Sequence, residues 1–529
     1  MRKILLSTSA FIALATAGGD IVEITPTTSY ENSDTLMSNI DELRERVSAL
    51  ESERDNLKAK IDSIKTQTTT KETETKPKES NSKNSDLSKK ITDLEKKIKK
   101  LNKKINKVRA HDAFDNIKFS TDFRTTVDNI NYKYNDYSFK GQDWSGKEKS
   151  NDALITSRLF LNMKSSPNDK VSFQGQLAGY YIWGAHLVGD EDPAFKSWSA
   201  SSKASDTLLR VRKAYFIYSD EDLPYSFSIG RRPSSDGFLI NHRENLKEAG
   251  SPLAHITNME VDAGMVKLNS DKLIEGSYLK LIYGRAHAGG METLYDSKGY
   301  RPYAQDGGDV NENVDFFVAL ASLFNNGQYN LMAEHAVIFN TKGARVGTPI
   351  GKELPDGSGV NKSLDAGTAQ LSALSLQVDG IGDEINDFLD ETIFFISLAQ
   401  SLYQPDNGKE LLGSTDDKTG QSYWVGFTIP DMITNDGRFG MEYNHGSKYW
   451  TPMTWAEDSP TGSKIAVRGD AYEAYWNFYL MGEKNLPAQI RYTHLQHDYT
   501  PNIRCSGWVA PQDVDIESDD IRFSVSYKY

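Results

Sequence analysis

From about Phe114 to Tyr529 apolar and polar residues alternate with a period of two, and nothing else in the chain constrains its fold as strongly. A β-strand sends successive side chains to opposite faces, so each such segment has one apolar and one polar side. The stretch IRFSVSYKY puts Ile521, Phe523, Val525, Tyr527 and Tyr529 on one side and Arg522, Ser524, Ser526 and Lys528 on the other. VSFQGQLAGYYIW repeats the pattern, with Val171, Phe173, Leu177, Tyr181 and Trp183 opposite Ser172, Gln174, Gln176 and Tyr180. Along the chain the alternation predicts about sixteen strands, near 114–125, 153–164, 169–183, 207–219, 224–232, 256–268, 275–285, 313–324, 328–340, 368–379, 390–402, 420–430, 436–446, 467–481, 486–498 and 519–529. Most are close to the roughly 9–11 residues that a tilted strand needs to cross a bilayer.

The connections decide between architectures. Short turns such as SSPND, NNGQ and GEKN alternate with long polar segments such as VGDEDPAFKSWSASSKASD and AHAGGMETLYDSKGYRPYAQDGGDVNEN. DGIGDEINDFLD, on the short side, is stretched enough to hold a helical turn. An up-and-down barrel with one trimmed and one decorated rim gives this order, and both ends of the strand region then lie on the short-turn rim. Aromatic residues placed near strand ends, Tyr181, Trp183, Tyr423, Trp424, Trp450, Trp455 and Trp476 among them, suit two membrane interfaces. Stacked soluble sandwiches would not segregate loop length in this way. The expected fold is an all-β transmembrane barrel over 114–529, of about sixteen antiparallel up-and-down strands, preceded by an α-helical coiled coil.

Before the barrel, Met1, Arg2 and Lys3, the apolar ILLSTSAFIALA and the small residues ending at Ala17 read as a signal peptide over 1–17. Past it, no apolar run approaches the roughly 20 residues of a membrane helix. A coiled-coil region over 34–109 follows: Leu36, Leu43, Leu50, Leu57 and Ile64 recur every seven residues. A second seam runs Leu87, Ile91, Leu94, Ile98, Leu101, Ile105, Val108, and the Thr/Lys/Glu/Ser-rich 66–84, containing Pro77, reads as a flexible linker between them. The seams are out of register, so they either fold back as a hairpin or zip with other copies into a homo-oligomer. The basic second seam is a solvated face or a contact for anionic headgroups or a cell-wall polymer.

Two stretches resemble known proteins. Phe523, Val525, Tyr527 and Tyr529 match the C-terminal signal of bacterial outer-membrane barrels, which implies reading by the barrel-assembly machinery. LLRVRKAYFIYSDEDLPYSFSIGRRPSSDGF, Leu208 to Phe238, is similar to a porin-type hairpin and, through IGRRPSSDGF, resembles the DUF3373 family of epsilon-class and related Gram-negative bacteria. The resemblance implies a signal, a coiled-coil stretch and an outer-membrane porin barrel over nearly the whole chain.

Catalytic chemistry finds little support. His494 and His497 fall on opposite faces of one strand, a poor geometry for a metal. Asp306, Asp309, Asn311 and Glu312 fit no EF-hand frame and read as a solvated acidic loop. No phosphate-binding loop, dinucleotide fingerprint, nucleophile elbow or zinc-protease motif occurs. Cys505 is the only cysteine, so no intrachain disulfide forms. No enzyme activity, cofactor, metal or nucleic-acid partner is expected.

If the apolar set faces lipid, the other parity lines a lumen. It comprises Lys118, Arg124, Arg158, Arg210, Arg212, Arg232, Lys280, Arg438, Arg491, Arg522 and Lys528 against Asp122, Glu334, Glu442 and Glu473. That wall is richer in base than acid although the chain's net charge is -13. A basic wall concentrates anions, unless its arginines pair with the lumen carboxylates. Arg210, Arg212 and Arg232 form the foremost candidate for a selectivity cluster. The reading is a porin for passive diffusion of small hydrophilic solutes through outer-membrane lipid, with anion preference and a periplasmic coiled coil. A plugged barrel with a structural or adhesive role is the alternative.

Overall fold

A computed structural model describes residues 117–139, 141–184, 209–233, 237–246, 249–287, 313–346, 364–382, 385–434, 436–454, 457–501 and 510–529. The signal peptide, the coiled coil and its linker, the acidic loop, Cys505 and Trp455 lie outside the described residues.

Sixteen long strands form one sheet. They are β1 (Lys118–Asp136), β2 (Lys147–Ser165), β3 (Val171–Ile182), β4 (Arg210–Ser219), β5 (Tyr225–Pro233), β6 (Glu260–Asn269), β7 (Tyr278–His287), β8 (Val314–Asn325), β9 (Tyr329–Arg345), β10 (Leu364–Asp379), β11 (Ile393–Pro405), β12 (Lys418–Pro430), β13 (Arg438–Gly446), β14 (Gly469–Tyr479), β15 (Pro487–Tyr499) and β16 (Asp513–Lys528). Sequence neighbours pair, and β16 pairs antiparallel with β1 from Asp122↔Lys528 to Asp136↔Asp515, which closes the ring. Closure leaves no open edge, the condition for a sheet in hydrocarbon. Thr121 and Tyr529 exchange both backbone hydrogen bonds (2.8 and 2.9 Å), so both ends of the barrel lie together on the short-turn rim.

Every predicted strand is present. The largest boundary difference is the first hairpin, where 126–152 was expected to be a long loop. Instead β1 continues to Asp136 and β2 starts at Lys147. The chain VDNINYKYND stays extended, and Lys133 meets its cross-strand partner Glu517 at 3.4 Å, a polar pair that holds this part of the ladder.

The short turns follow from their side chains. In the β8–β9 turn Asn325 accepts from Gly327 N and Asn326 from Tyr329 N, while Gly327 takes φ +96°. The stretched turn between β10 and β11 holds the helical turn Asp387–Asp390, capped by Asn386 accepting from Leu389 N.

The outer surface carries an apolar band, including Leu159 (38% exposed), Ile229 (55%), Leu398 (53%), Met441 (55%) and Ile521 (44%). In water this would be a liability; against lipid each large apolar side chain gains up to about 1.5–3 kcal/mol. Tyr423, Tyr472 and Tyr527 lie on the same outer face, as do Trp476 and Phe439, stacked with centroids 5.5 Å apart. Trp424 and Trp450 are corrections. Both were expected as interface aromatics, and both are fully buried inside the barrel.

Candidate functional site in the barrel interior

Among the described residues, two of the long connections turn inward. The first, between β5 and β6, folds on itself: Gly237–Phe238 pairs in parallel with Gly250–Leu253, and a single helical turn, Ile240–Arg243, lies between them. Leu239, Ile240, Leu253 and Ile256 are fully buried. They pack against inward side chains of β7–β12, such as Ile282, Phe316, Leu320, Leu371, Phe395 and Trp424. The inward parity of these strands is therefore apolar, contrary to the assumption that every apolar row faces lipid.

Polar anchors fix this loop. Glu334 of β9 accepts from Leu253 N at 2.6 Å. His255 shares hydrogen bonds with Ser397 (2.7 Å) and Ser422 (2.9 Å) and lies edge-on to Trp424 and Trp450. Burial pushes its imidazole down to about 3, so it stays neutral there.

The second inner loop is 447–468, between β13 and β14. It meets the first through a parallel bridge, Thr257↔Met453, with Met453 N donating to Ile256 O and Asn258 N to Met453 O, both at 2.9 Å. Arg243 Nη2 donates to Glu457 O at 2.6 Å. The loop's own frame is polar: Trp450 Nε1 donates to Ile465 O, and Arg468 donates to Trp450 O and Thr451 Oγ1.

Charge holds this loop to β12–β16 and β1. The Lys464 ammonium sits between Glu442 and Glu473, and Trp424 Nε1 donates to Glu442 at 2.9 Å. Glu473 also accepts from Thr493 and lies 3.7 Å from Arg243 and 3.8 Å from Arg491. Arg124 grips Asp458 with two bonds of 2.6 Å, while Arg491 and Arg522 donate to the Asp458 carbonyl. Arg522 also binds Asp128 at 2.6 Å.

Glu457 and Asp458 both take left-handed φ, +46° and +60°, a strained turn that aims their carbonyls at Arg243, Arg491 and Arg522. Burial raises the Asp458 pKa, but Arg124 and Arg522 more than offset this and hold it well below the usual range. Burial pushes Glu457 up to about 7 against the pull of Arg243 and Lys464.

The sequence-predicted interior residues therefore fall into groups. Glu442, Glu473, Arg491 and Arg522 join the second loop's ion network, and Glu334 anchors the first. Arg158 pairs with Asp122 at 3.6 Å. The members of the suggested arginine triplet make separate contacts. Arg212 is held by Glu260 (3.0 Å) and Gln176 (2.7 Å), Arg232 reaches Ser228 and stacks over Tyr215 at 4.9 Å, and Arg210 is exposed. Lys280 stacks on Tyr278 at 5.1 Å.

The sequence reading missed Lys464, Asp458, Glu457 and Arg243, all on connections whose inward folding no strand pattern signals. Asp128 lay in a segment expected to be loop. Lys267 was missed because it shares parity with Val261, Ala263 and Met265, which looked lipid-facing but point inward. His494 and His497 do separate: His494 pairs with Asp519 at 2.9 Å on the outer face and His497 is buried. Among the described residues no group of three metal-ligating side chains occurs.

The family described as "Protein of unknown function (DUF3373)" matches residues 148–525, nearly the whole barrel. The chain belongs to the DUF3373 family. No curated protein matches it. Solved structures similar to this DUF3373 chain include an anion-selective porin from Comamonas acidovorans, at 12% identity and TM-score 0.43, covering 78% of this chain and 100% of that one. Two others are OprB of Pseudomonas putida at high pH (12%, TM-score 0.40, 78% and 94%) and the outer-membrane channel DcaP of Acinetobacter baumannii (12%, TM-score 0.39, 78% and 97%).

Proposed function

We propose that this DUF3373 protein is an outer-membrane channel for passive diffusion of small hydrophilic solutes, constricted by its two inner loops. The observation that carries the reading is a closed barrel with an apolar band outside and, inside β2–β7, polar side chains that keep partial solvent exposure. Arg158, Gln174, Tyr215, Arg232, Lys267 and Lys280 are all in that state. A sixteen-strand barrel is wide enough for water even with loops folded into it.

A second reading has its own support. The inward residues of β8–β16 are almost completely covered, which suits a plugged barrel with a structural or adhesive role. Conductance of purified protein in planar bilayers separates the two: stepwise channels are expected, and folded, heat-modifiable protein that never conducts would leave only the structural role.

Around the barrel, the predicted coiled coil would oligomerise the protein in the periplasm or tether it to the cell wall. Phe523, Val525, Tyr527 and Tyr529 would be read by the barrel-assembly machinery. Deleting Tyr529 should lower the inserted fraction in cells while leaving refolding from detergent unchanged.

A further inference from the structure

The outer face carries one three-residue arrangement twice. On β13 Tyr443 and His445 stand two residues apart, and Asp470 of β14 is the direct cross-strand partner of His445. On β15 and β16 the same places are taken by Tyr492, His494 and Asp519. The bonds repeat as well. The Tyr443 hydroxyl donates to Asp470 Oδ1 at 2.6 Å, and His445 Nδ1 lies 2.9 Å from that atom. Tyr492 and His494 reach Asp519 Oδ1 at the same 2.6 and 2.9 Å. An ionised carboxylate only accepts, so each imidazole carries a hydrogen on Nδ1 and keeps Nε2 for another partner. Among the described residues neither that nitrogen nor the second aspartate oxygen has a hydrogen-bond partner in either unit.

Aromatic rings join the two units. Tyr472 of β14 is the direct partner of both Tyr443 and His494, with ring centroids 5.0 and 6.2 Å away. Tyr423 stacks on His445 at 5.3 Å. Tyr472 is 50% exposed and Tyr492 42%.

Their depth follows from the rows below them. From the short-turn rim the outward row of β13 runs Phe439, Met441, Tyr443, His445, and that of β15 runs Ile490, Tyr492, His494. Met441 and Ile490 belong to the exposed apolar band. The units are therefore continuous with the lipid face and begin where it ends on the long-loop side, the level of the outer-leaflet headgroups. Tyrosine at this depth is a general interface anchor, but anchoring does not call for a fixed acceptor beside a fixed imidazole, built twice.

The chemistry favours an uncharged polyol over a phosphate. Lys133 and Lys448, near the ends of β1 and β13, are already paired with Glu517 (3.4 Å) and Asp513 (3.0 Å), and the units themselves bring carboxylates. Sugar hydroxyls both donate and accept, and the C–H face of a sugar ring stacks on the electron-rich face of a phenol.

We propose that the two Tyr–Asp–His units, bridged by Tyr472, bind the sugar headgroup of an outer-leaflet glycolipid. The free aspartate oxygens accept from sugar hydroxyls, histidine Nε2 meets a neighbouring hydroxyl, and Tyr472 offers the stacking face. The site lies on the lipid side of the wall, so it stands whether or not the barrel conducts.

The test refolds the full chain into phosphatidylcholine vesicles holding either digalactosyldiacylglycerol, an uncharged glycolipid, or phosphatidic acid. Lipids retained on the protein are then counted by native mass spectrometry for the wild type, H445A/H494A and Y472L. The wild type should hold the galactolipid at least about fivefold above its share of the vesicle, the factor that about 1 kcal/mol gives. Loss of that enrichment in either variant, with phosphatidic acid not enriched, supports the site. No enrichment in the wild type, or equal enrichment in all three proteins, overturns it. Phosphatidic acid enriched as strongly as the galactolipid overturns it too, since the surface would then read charge. Heat-modifiable gel mobility verifies that each variant is folded.

Discussion

The two halves of the filled interior are held in opposite ways. Against β7–β11 the first inner loop makes an apolar core, where Leu239, Ile240 and Leu253 meet Leu320 and Phe395. Against β12–β16 and β1 the second is held by ions, where Lys464, Glu442, Glu473, Asp458 and the arginines interlock. Apolar packing is non-directional and tolerant of local shifts, whereas a buried ion network is stable only when each charge keeps its partner. The first loop should thus behave as fixed filling and the second as the element that one charge change can dislodge.

The largest expected effect comes from breaking the charged half at its centre. Lys464→Met strips Glu442 of its cation and leaves it buried beside Glu473, which keeps only the longer contacts to Arg243 and Arg491, at a cost of about 3–5 kcal/mol. Protease cleavage within 447–468 and a larger conductance should follow. Neutralising the pair in E442Q/K464M, which leaves Glu473 to Arg243 and Arg491, should restore most of the stability, and a double variant as labile as the single one would show that shape rather than charge seats the loop.

Where the two halves meet, on β12, Trp424→Ala opens a cavity and removes the donor to Glu442, costing about 3–5 kcal/mol. Leu320→Ala falls toward the lower end of about 2–5 kcal/mol. Denaturant midpoints should drop for both, with Leu320→Ala leaving the 447–468 cleavage rate unchanged. Faster cleavage there in Leu320→Ala would erase the distinction between the halves.

A smaller, pH-dependent effect belongs to the second loop. Glu457 is buried beside Arg243, Lys464 and Glu473, with Thr454 and Ser463 as its polar neighbours, and titrates at about 7 with the loop seated. Because seating raises this carboxyl above its ordinary value, its contribution is full below about pH 4.5 and is lost as pH rises to about 7. Cleavage of 447–468 should quicken between pH 5 and 8, and Glu457→Gln should flatten the profile. The smallest effect is expected outside: Arg285→Ala removes an exposed pair with Asp315 and should change stability by no more than about 1 kcal/mol.

Much of the barrel was legible because period-two alternation and loop-length order are local properties of the chain. Sixteen strands, the closing β16–β1 pair and the rim holding both ends all follow from them. The interior was legible only as parity. Parity sets Arg212, Arg491 and Glu473 apart from the exposed apolar rows, and all three are buried, yet it says nothing of what each meets. It fails for Lys267, Trp424 and the inward rows of β7–β11, where an apolar face turned to protein has the same composition as one turned to lipid.

By itself, then, the sequence determined the strand count, the register-setting alternation and the fact that charged side chains line the inside. Only the tertiary structure decided that two of the described connections fold inward and that one is seated on hydrocarbon and the other on ions. The physical reason is range. Alternation acts between residues two apart, whereas Arg124 and Asp458 are 334 positions apart and become neighbours only when the ring closes.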